Sequence, residues 1–301
     1  MSNGPVPNGT EPGQPDGRPA GGGLPAPLTA DGRAGLAALI AQPRRSLIAV
    51  DFDGTLAPIV EDPAAARATP AATAALARLA EMTGTVAIVT GRPAAEAASF
   101  SGLAAVRGVI VLGHYGMQRW ERGQLSSPEP PPGLSEARAE LAAVLAAAEA
   151  GEGTFIEDKG EALAVHTRRA AEPQAELDRL RGPLAGLAAR TGLALEPGRL
   201  VLELRPAGSD KGSAIRELAA ERNPSAILFC GDDLGDRPAF AAVRELRGEG
   251  TPGLLVFSAS VEVPDLAAEA DLVVDGPDGV AALLSGLAEA FADSVNCGSE
   301  N

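Results

Sequence analysis

Six short apolar runs punctuate the chain: Ser46 to Val50, Thr85 to Val89, Gly108 to Leu112, Ser225 to Cys230, Gly253 to Phe257 and Asp271 to Val274. Amphipathic or alanine-rich stretches of helical length separate them. Runs this short, without polar alternation, suit parallel strands covered on both faces. Segments such as Pro70 to Glu81 and Lys211 to Glu221 are long enough to be the crossover helices. The pattern predicts an α/β fold with a doubly wound, Rossmann-like parallel sheet. The middle of the chain departs from it. After a proline-rich stretch, Ser127 to Gly133, come a helix (Leu134 to Ala150) and two strands meeting at Gly160 (Thr154 to Asp158, Glu161 to Thr167). A second helix (Glu172 to Arg190) and two more strands (Leu193 to Glu196, Leu200 to Leu204) follow. This is an α+β unit inserted into the sheet domain. The expected organisation is a core over 28–126 and 205–292, an inserted domain over 127–204 and a polar C-terminal tail over 293–301. Residues 1–27, with seven Gly and seven Pro and no apolar period, are expected to form a disordered tail.

Acidic residues outnumber basic ones, 40 against 25, for a formal charge of −15, and no basic block interrupts that excess. Broad nucleic-acid binding and docking to an anionic membrane are thereby excluded. No apolar run approaches the roughly 20 residues of a membrane span, and no cationic start leads into an apolar stretch at the N-terminus. Two cysteines, Cys230 and Cys297, make no disulfide framework. A reducing, cytoplasmic setting is expected; oligomeric state has no signature here. Only two of the 25 basic residues are lysines, Lys159 and Lys211, each within Asp-Lys-Gly.

Four segments carry chemistry. In SLIAVDFDGTLAP a buried strand ends at Asp51, Phe52, Asp53 and Gly54. Strand ends line the ligand crevice of an open parallel sheet, and residues two apart project to one side. Asp51 and Asp53 can therefore face one reacting centre while Phe52 turns into the protein. A lone Asp-x-Asp is commonly a helix cap or a solvated turn; the strand before it and the Gly-Thr after it favour a site. In TVAIVTGRP a second strand ends at Thr90, Gly91 and Arg92, where a hydroxyl beside free turn N–H groups suits phosphate oxygens. Lys211, in SDKGS, opens a helix and offers a compact ammonium in a chain that uses arginine at nearly every other cationic position. In CGDDLGD another strand ends beside Asp232, Asp233 and Asp236. Oxygen donors this dense ask for a hard cation such as Mg²⁺, although one or two of these aspartates can simply cap the next helix. A phosphate monoester meeting such a cluster needs compensation, since each uncompensated like-charge pair at about 4 Å costs about 4 kcal/mol at an effective dielectric of about 20.

The four motifs, in this order, resemble those of the haloacid dehalogenase-like phosphohydrolase superfamily, and the insertion resembles its larger α+β cap. More narrowly, DFDGTLAPIVEDP, GHYGMQRW, IEDKGEALAVHTR, VLELRPAGSDKGSAI and CGDDLGDRPAF resemble trehalose-6-phosphate phosphatases, over about residues 36 to 290. That resemblance implies an Mg²⁺-dependent hydrolase for a small sugar phosphate. Asp51 would be the nucleophile and Asp53 the acid and base. Thr90 and Lys211 would hold the phosphoryl group, with Gly91 and Arg92 on the substrate side. Asp51, the Asp53 carbonyl and Asp232 would bind the metal, with Asp233 and Asp236 nearby. Glu157 and Lys159 would contact sugar hydroxyls, and His166, Arg168 and Glu203 are further candidates. The chain departs from the family pattern at Gly235 and Arg237, where Thr and Glu are usual, and at Thr167, where Tyr is usual.

The same motifs admit a phosphatase for sucrose phosphate or mannosyl-phosphoglycerate, a sugar phosphomutase or phosphotransferase, and, in another class, a sugar-phosphate sensor that does no chemistry. His114, Tyr115 and Trp120 are read as packing or hydrogen-bonding residues of the framework.

Overall fold

The computed structural model describes residues 24–129, 132–198, 200–259 and 264–298. Helix α1 (Ala30–Ala41) precedes strand β1 (Ser46–Val50), α2 (Pro70–Met82) leads into β2 (Thr85–Val89), and α3 (Ala94–Phe100) into β3 (Val109–Gly113). Two short strands, β4 (Gln118–Glu121) and β5 (Gln124–Ser126), complete the first half. The insertion comprises α4 (Pro132–Ala147), β6 (Phe155–Asp158), β7 (Leu163–His166), α5 (Pro173–Thr191), β8 (Leu193–Gly198) and β9 (Val201–Pro206). The chain then returns through α6 (Lys211–Arg222), β10 (Ala226–Gly231), α7 (Arg237–Gly248), β11 (Gly253–Ser258), α8 (Pro264–Ala267), β12 (Leu272–Val274) and α9 (Gly276–Gly298).

The main sheet runs β12-β11-β10-β1-β2-β3-β4-β5, parallel from β12 to β3. All five residues of β1 are buried because alternate side chains enter opposite layers. Ile48 and Val50 join the layer containing α2 and α9 residues such as Leu76, Leu79 and Leu284. Leu47 and Ala49 join Ile215 and Leu218 of α6 and Phe240 of α7. Helix starts follow local chemistry: Thr69 caps α2 ahead of Pro70, and Asp210 and Ser213 form a reciprocal capping box on α6.

Strand and helix bounds shift by a few residues from expectation, and three features differ in kind. Strands β4 and β5 pair antiparallel beyond β3. They are short and polar, and their turn at Arg122 and Gly123, with φ of 53° and 79°, lacks the usual Asn-Gly signal of a primed turn. Helix α9 runs to Gly298, through residues read as a polar tail. Leu24, in the stretch read as disordered, packs against the core; residues 1–23 of that stretch lie outside those described. Among the described residues no helix is long and apolar enough to cross a membrane.

The insertion forms a second, antiparallel sheet, β6-β7-β9-β8. Leu163 and Val165 of β7 and Leu202 and Leu204 of β9 pack with Leu134 and Leu141 of α4 and Leu177, Leu180 and Leu184 of α5. Period two then assigns Ala164, His166, Val201, Glu203 and Arg205 to the other face, joined through register by Phe155 and Glu157 of β6.

Two glycine positions test this packing in opposite directions. In α1, a Cβ on Gly35 would lie 1.8 Å from the Gly253 carbonyl oxygen of β11, so Gly35→Ala should destabilise by about 1–3 kcal/mol. In α5, a Cβ on Gly186 would meet only Arg190, at 3.7 Å, so Gly186→Ala should stabilise by about 0.8–1 kcal/mol. Denaturant titrations of both variants against the parent check the pair; equal shifts would contradict it.

Candidate active site

Strands β1, β2 and β10 run parallel in one sheet, so their last residues meet at one edge. Asp51 follows β1, 4% exposed, its N–H donating to the Cys230 carbonyl at 2.8 Å. Asp232 and Asp236 follow β10, 2% and 0% exposed. One carboxylate oxygen from each of the three lies within 4.8 Å of the others. Lys211, the first residue of α6, enters this cluster. Its Nζ is 2.7 Å from Asp51 Oδ1 and 2.8 Å from Asp236 Oδ1. Asp236 Oδ2 accepts from the N–H groups of Asp232 and Asp233 at 2.9 and 3.1 Å, so both its oxygens are engaged. Gly54, at φ 74°, leaves room for Asp232: a Cβ there would lie 1.9 Å from Asp232 Oδ2. Thr55, which sequence reasoning did not single out, donates to Asp232 Oδ1 at 3.3 Å.

Charge in this cluster is out of balance. Burial raises the Asp51 carboxyl well above the ordinary carboxylate range; Lys211 opposes the rise, and Asp236, Asp232 and Asp233 add to it. Asp232 is pushed up to about 8, by burial first and then by Asp236 and Asp233. Burial works against the Lys211 ammonium, yet Asp236 and Asp51 hold it well above the usual lysine value. Burial and mutual repulsion raise the Asp51, Asp232 and Asp236 carboxyls, and carboxylates gathered in this way favour a nearby positive charge. An oxygen-only donor set of this charge fits a hard divalent cation.

Asp53 and Asp233 stand outside the cluster. Asp53, its side chain 41% exposed, takes a two-pronged contact from Arg92: Nε to Oδ2 and Nη2 to Oδ1, both 2.7 Å. Arg92 Nη1 also reaches Glu96 at 2.8 Å. Asp233 is exposed and caps the short turn Leu234–Asp236. The departures from the family pattern lie on this side: Gly235 is beside the Asp233 carboxylate, and Arg237 pairs with Glu269 at 2.9 Å. Thr90, 2% exposed at the end of β2, accepts from the Arg92 N–H at 3.2 Å through Oγ1.

On the second sheet, Lys159 Nζ meets Glu203 Oε1 at 3.1 Å, and His166 Nε2 lies 2.8 Å from Glu157 Oε2. The His166 ring stacks on Phe155 with centroids 4.6 Å apart, and burial lowers its pKa although Glu157 opposes this. Arg168 is exposed beyond β7, its charge bearing on His166. The two units meet at Tyr115, whose hydroxyl donates to Glu203 Oε2 at 3.3 Å and whose ring lies 4.1 Å from the Arg205 guanidinium carbon. His114 lies buried in this framework. It is 2% exposed and neither ring nitrogen makes a well-formed hydrogen bond. Burial lowers its pKa, with Lys159 adding to the effect. Consecutive positive φ values at His114 and Tyr115, 46° and 60°, each carry a cost of order 1–3 kcal/mol. Such strain clusters at functional sites.

Comparison with known proteins agrees with this geometry. The chain is 33% identical over 258 residues to a trehalose-phosphate phosphatase of Mycobacterium marinum, covering 81% of this chain and 62% of that one. It is 34% identical over 214 residues to an uncharacterized glycosyl hydrolase of Mycobacterium tuberculosis, covering 67% of this chain and 15% of that one. The chain thus spans only part of these relatives. Among solved structures, the C-terminal domain of Candida albicans trehalose-6-phosphate phosphatase shares the fold, with a TM-score of 0.71 at 23% identity, covering 88% of this chain and 99% of that one. The family model described as trehalose-phosphatase matches residues 49–277, and the chain belongs to that family.

Proposed function

We propose that the chain is a phosphoric monoester hydrolase that converts trehalose 6-phosphate to trehalose and phosphate through an aspartyl-phosphate. The observation that carries this reading is the buried Asp51, bonded to Lys211 at the shared end of three strands. In the proposed reaction an Asp51 carboxylate oxygen attacks phosphorus in line while the bond from phosphorus to the sugar oxygen breaks. Asp53 gives its proton to that oxygen, and trehalose leaves. Asp53 then takes a proton from water, whose oxygen bonds to phosphorus as the acyl-phosphate bond breaks, and Asp51 is restored. Thr90 and Lys211 hold the phosphoryl oxygens, with Gly91 and Arg92 beside them.

Asp51, Asp232 and the Asp53 carbonyl would hold Mg²⁺, which when bound supplies the positive charge that the carboxylates and the phosphoryl group lack. Asp236 is better suited to anchoring Lys211, since its two oxygens already accept from Lys211 and two backbone N–H groups. Asp233, which caps a turn, adds charge at longer range. Sugar hydroxyls are neutral and need directed partners. Glu157, Lys159, His166 and Glu203 lie on the sheet face turned away from α4 and α5, with Arg168 at its margin, and supply such partners as a cap over the reacting phosphate.

Three outcomes test the reading. With Mg²⁺ present, kcat/KM should be highest for trehalose 6-phosphate in a panel that includes sucrose phosphate and mannosyl-phosphoglycerate; a higher value for another ester would reject the substrate. Water labelled with ¹⁸O should appear in the released phosphate, whereas transfer to a sugar without label would mark a phosphotransferase. Asp51→Asn should remain folded by circular dichroism and lose turnover, and a rate near that of the parent would refute the nucleophile.

Metal binding is testable without activity. Free Mg²⁺ at about 100 times its Kd should stabilise the folded chain by about 2.7 kcal/mol, read as a rise in melting temperature. Asp232→Asn should abolish most of that rise, and an undiminished rise would place the ion elsewhere.

A further inference from the structure

The turn after β3 belongs to the main sheet, yet it reaches the inserted one. It is pinned from below: the His114 N–H donates to the Arg92 carbonyl and the Tyr115 N–H to the Thr90 carbonyl, both at 3.0 Å. These carbonyls belong to the loop proposed to hold phosphate. Three successive residues, His114, Tyr115 and Gly116, have positive φ, a conformation that non-glycine residues keep only when surrounding contacts over-determine it. The result is a rigid projection of the Tyr115 ring. Its hydroxyl passes over Gly91, where a Cβ would lie 2.8 Å from the phenolic oxygen, and ends on Glu203 Oε2 at 3.3 Å. The other oxygen of Glu203 takes Lys159 at 3.1 Å, and Arg205, two residues along β9, covers the ring. His114 is buried at the same seam, where Lys159, Glu203 and Glu161 act on it.

We infer that Tyr115 is a positioning residue that measures substrate length. From the phosphate loop it fixes the Glu203–Lys159 pair of the inserted sheet, so that the hydroxyl-binding groups stand at a set distance from phosphorus. The ligand class favoured by this arrangement is a phosphomonoester with a bulky polyhydroxylated leaving group; a small ester bridges no such distance and gains nothing from it. The inference rests on the sugar-phosphatase reading and adds a residue that was read above as framework. Gly91 acquires a reason of its own, since any side chain there would strike the Tyr115 hydroxyl.

Tyr115→Phe removes the hydroxyl and keeps the ring over Gly91 and under Arg205. The ratio of kcat/KM for trehalose 6-phosphate to that for p-nitrophenyl phosphate should fall at least about tenfold, the lower end of the weight of a hydrogen bond to a charged group, mainly through KM for the sugar ester. Glu203→Gln should lower the same ratio, and the double variant should lose less than the product of the two single losses. Equal losses on both esters, or multiplicative losses in the double variant, would overturn the inference.

The contact can also be read without turnover. Tyr115 is the only tyrosine in the chain, so protein grown with 3-fluorotyrosine gives one ¹⁹F resonance. Glu203→Gln should shift that resonance in the substrate-free protein, and an unmoved signal would overturn the inference. If the signal moves while the parent hydrolyses no disaccharide phosphate, the contact stands and the substrate assignment falls.

Discussion

Carboxylates of like sign share a small dry volume only when something positive is built in with them, and here that is the Lys211 ammonium. It lies 2.7 Å from Asp51 and 2.8 Å from Asp236, shorter separations than any that would let water screen them. Removing one partner of such a pair leaves an uncompensated buried charge, which typically costs 3–5 kcal/mol. The rest of the site is arranged to keep this lysine in place. The capping box of Asp210 and Ser213 starts α6 at this point. Asp236 in turn is anchored by two N–H groups from its own strand end. Burial, with Asp236 and Asp233 beside it, still raises the Asp232 carboxyl to about 8.

Asp51 and Asp53 are two residues apart and chemically identical, yet they occupy different worlds. Asp51 is dry and touches an ammonium, while Asp53 is partly solvated and held by the planar fork of Arg92. Separate environments are how one pair of carboxylates can come to serve two tasks, and these two residues stand in clearly separate ones. The division comes from where β1 stops: Asp51 is the last residue tied to β10, and the chain turns at Gly54 immediately after Asp53.

The inserted sheet shows the same economy of placement. One face is filled by leucines against α4 and α5; the other carries Glu157, His166, Glu203 and Arg205, because strand residues alternate between faces. Tyr115 ties this polar face to the main sheet, which makes the seam between the units part of the site.

Much of this was legible in the residues themselves. Apolar runs of strand length with helical spacers set the doubly wound core, and Asp-x-Asp-Gly, Thr-Gly-Arg and Gly-Asp-Asp each end such a run while the Asp-Lys-Gly of Lys211 opens a helix, so local pattern and chemistry agree. Burial of alternate residues and helix capping are local properties, and a linear reading reaches them. Three-dimensional packing alone decided that Asp236 anchors Lys211, that Arg92 grips Asp53, that Asp233 caps a turn and that Tyr115 crosses to Glu203. These contacts join residues from 25 to 88 positions apart, or depend on which way a short turn bends, and no spacing rule encodes either. A chain specifies which side chains can bond; only the folded sheets determine which of them come within 3 Å.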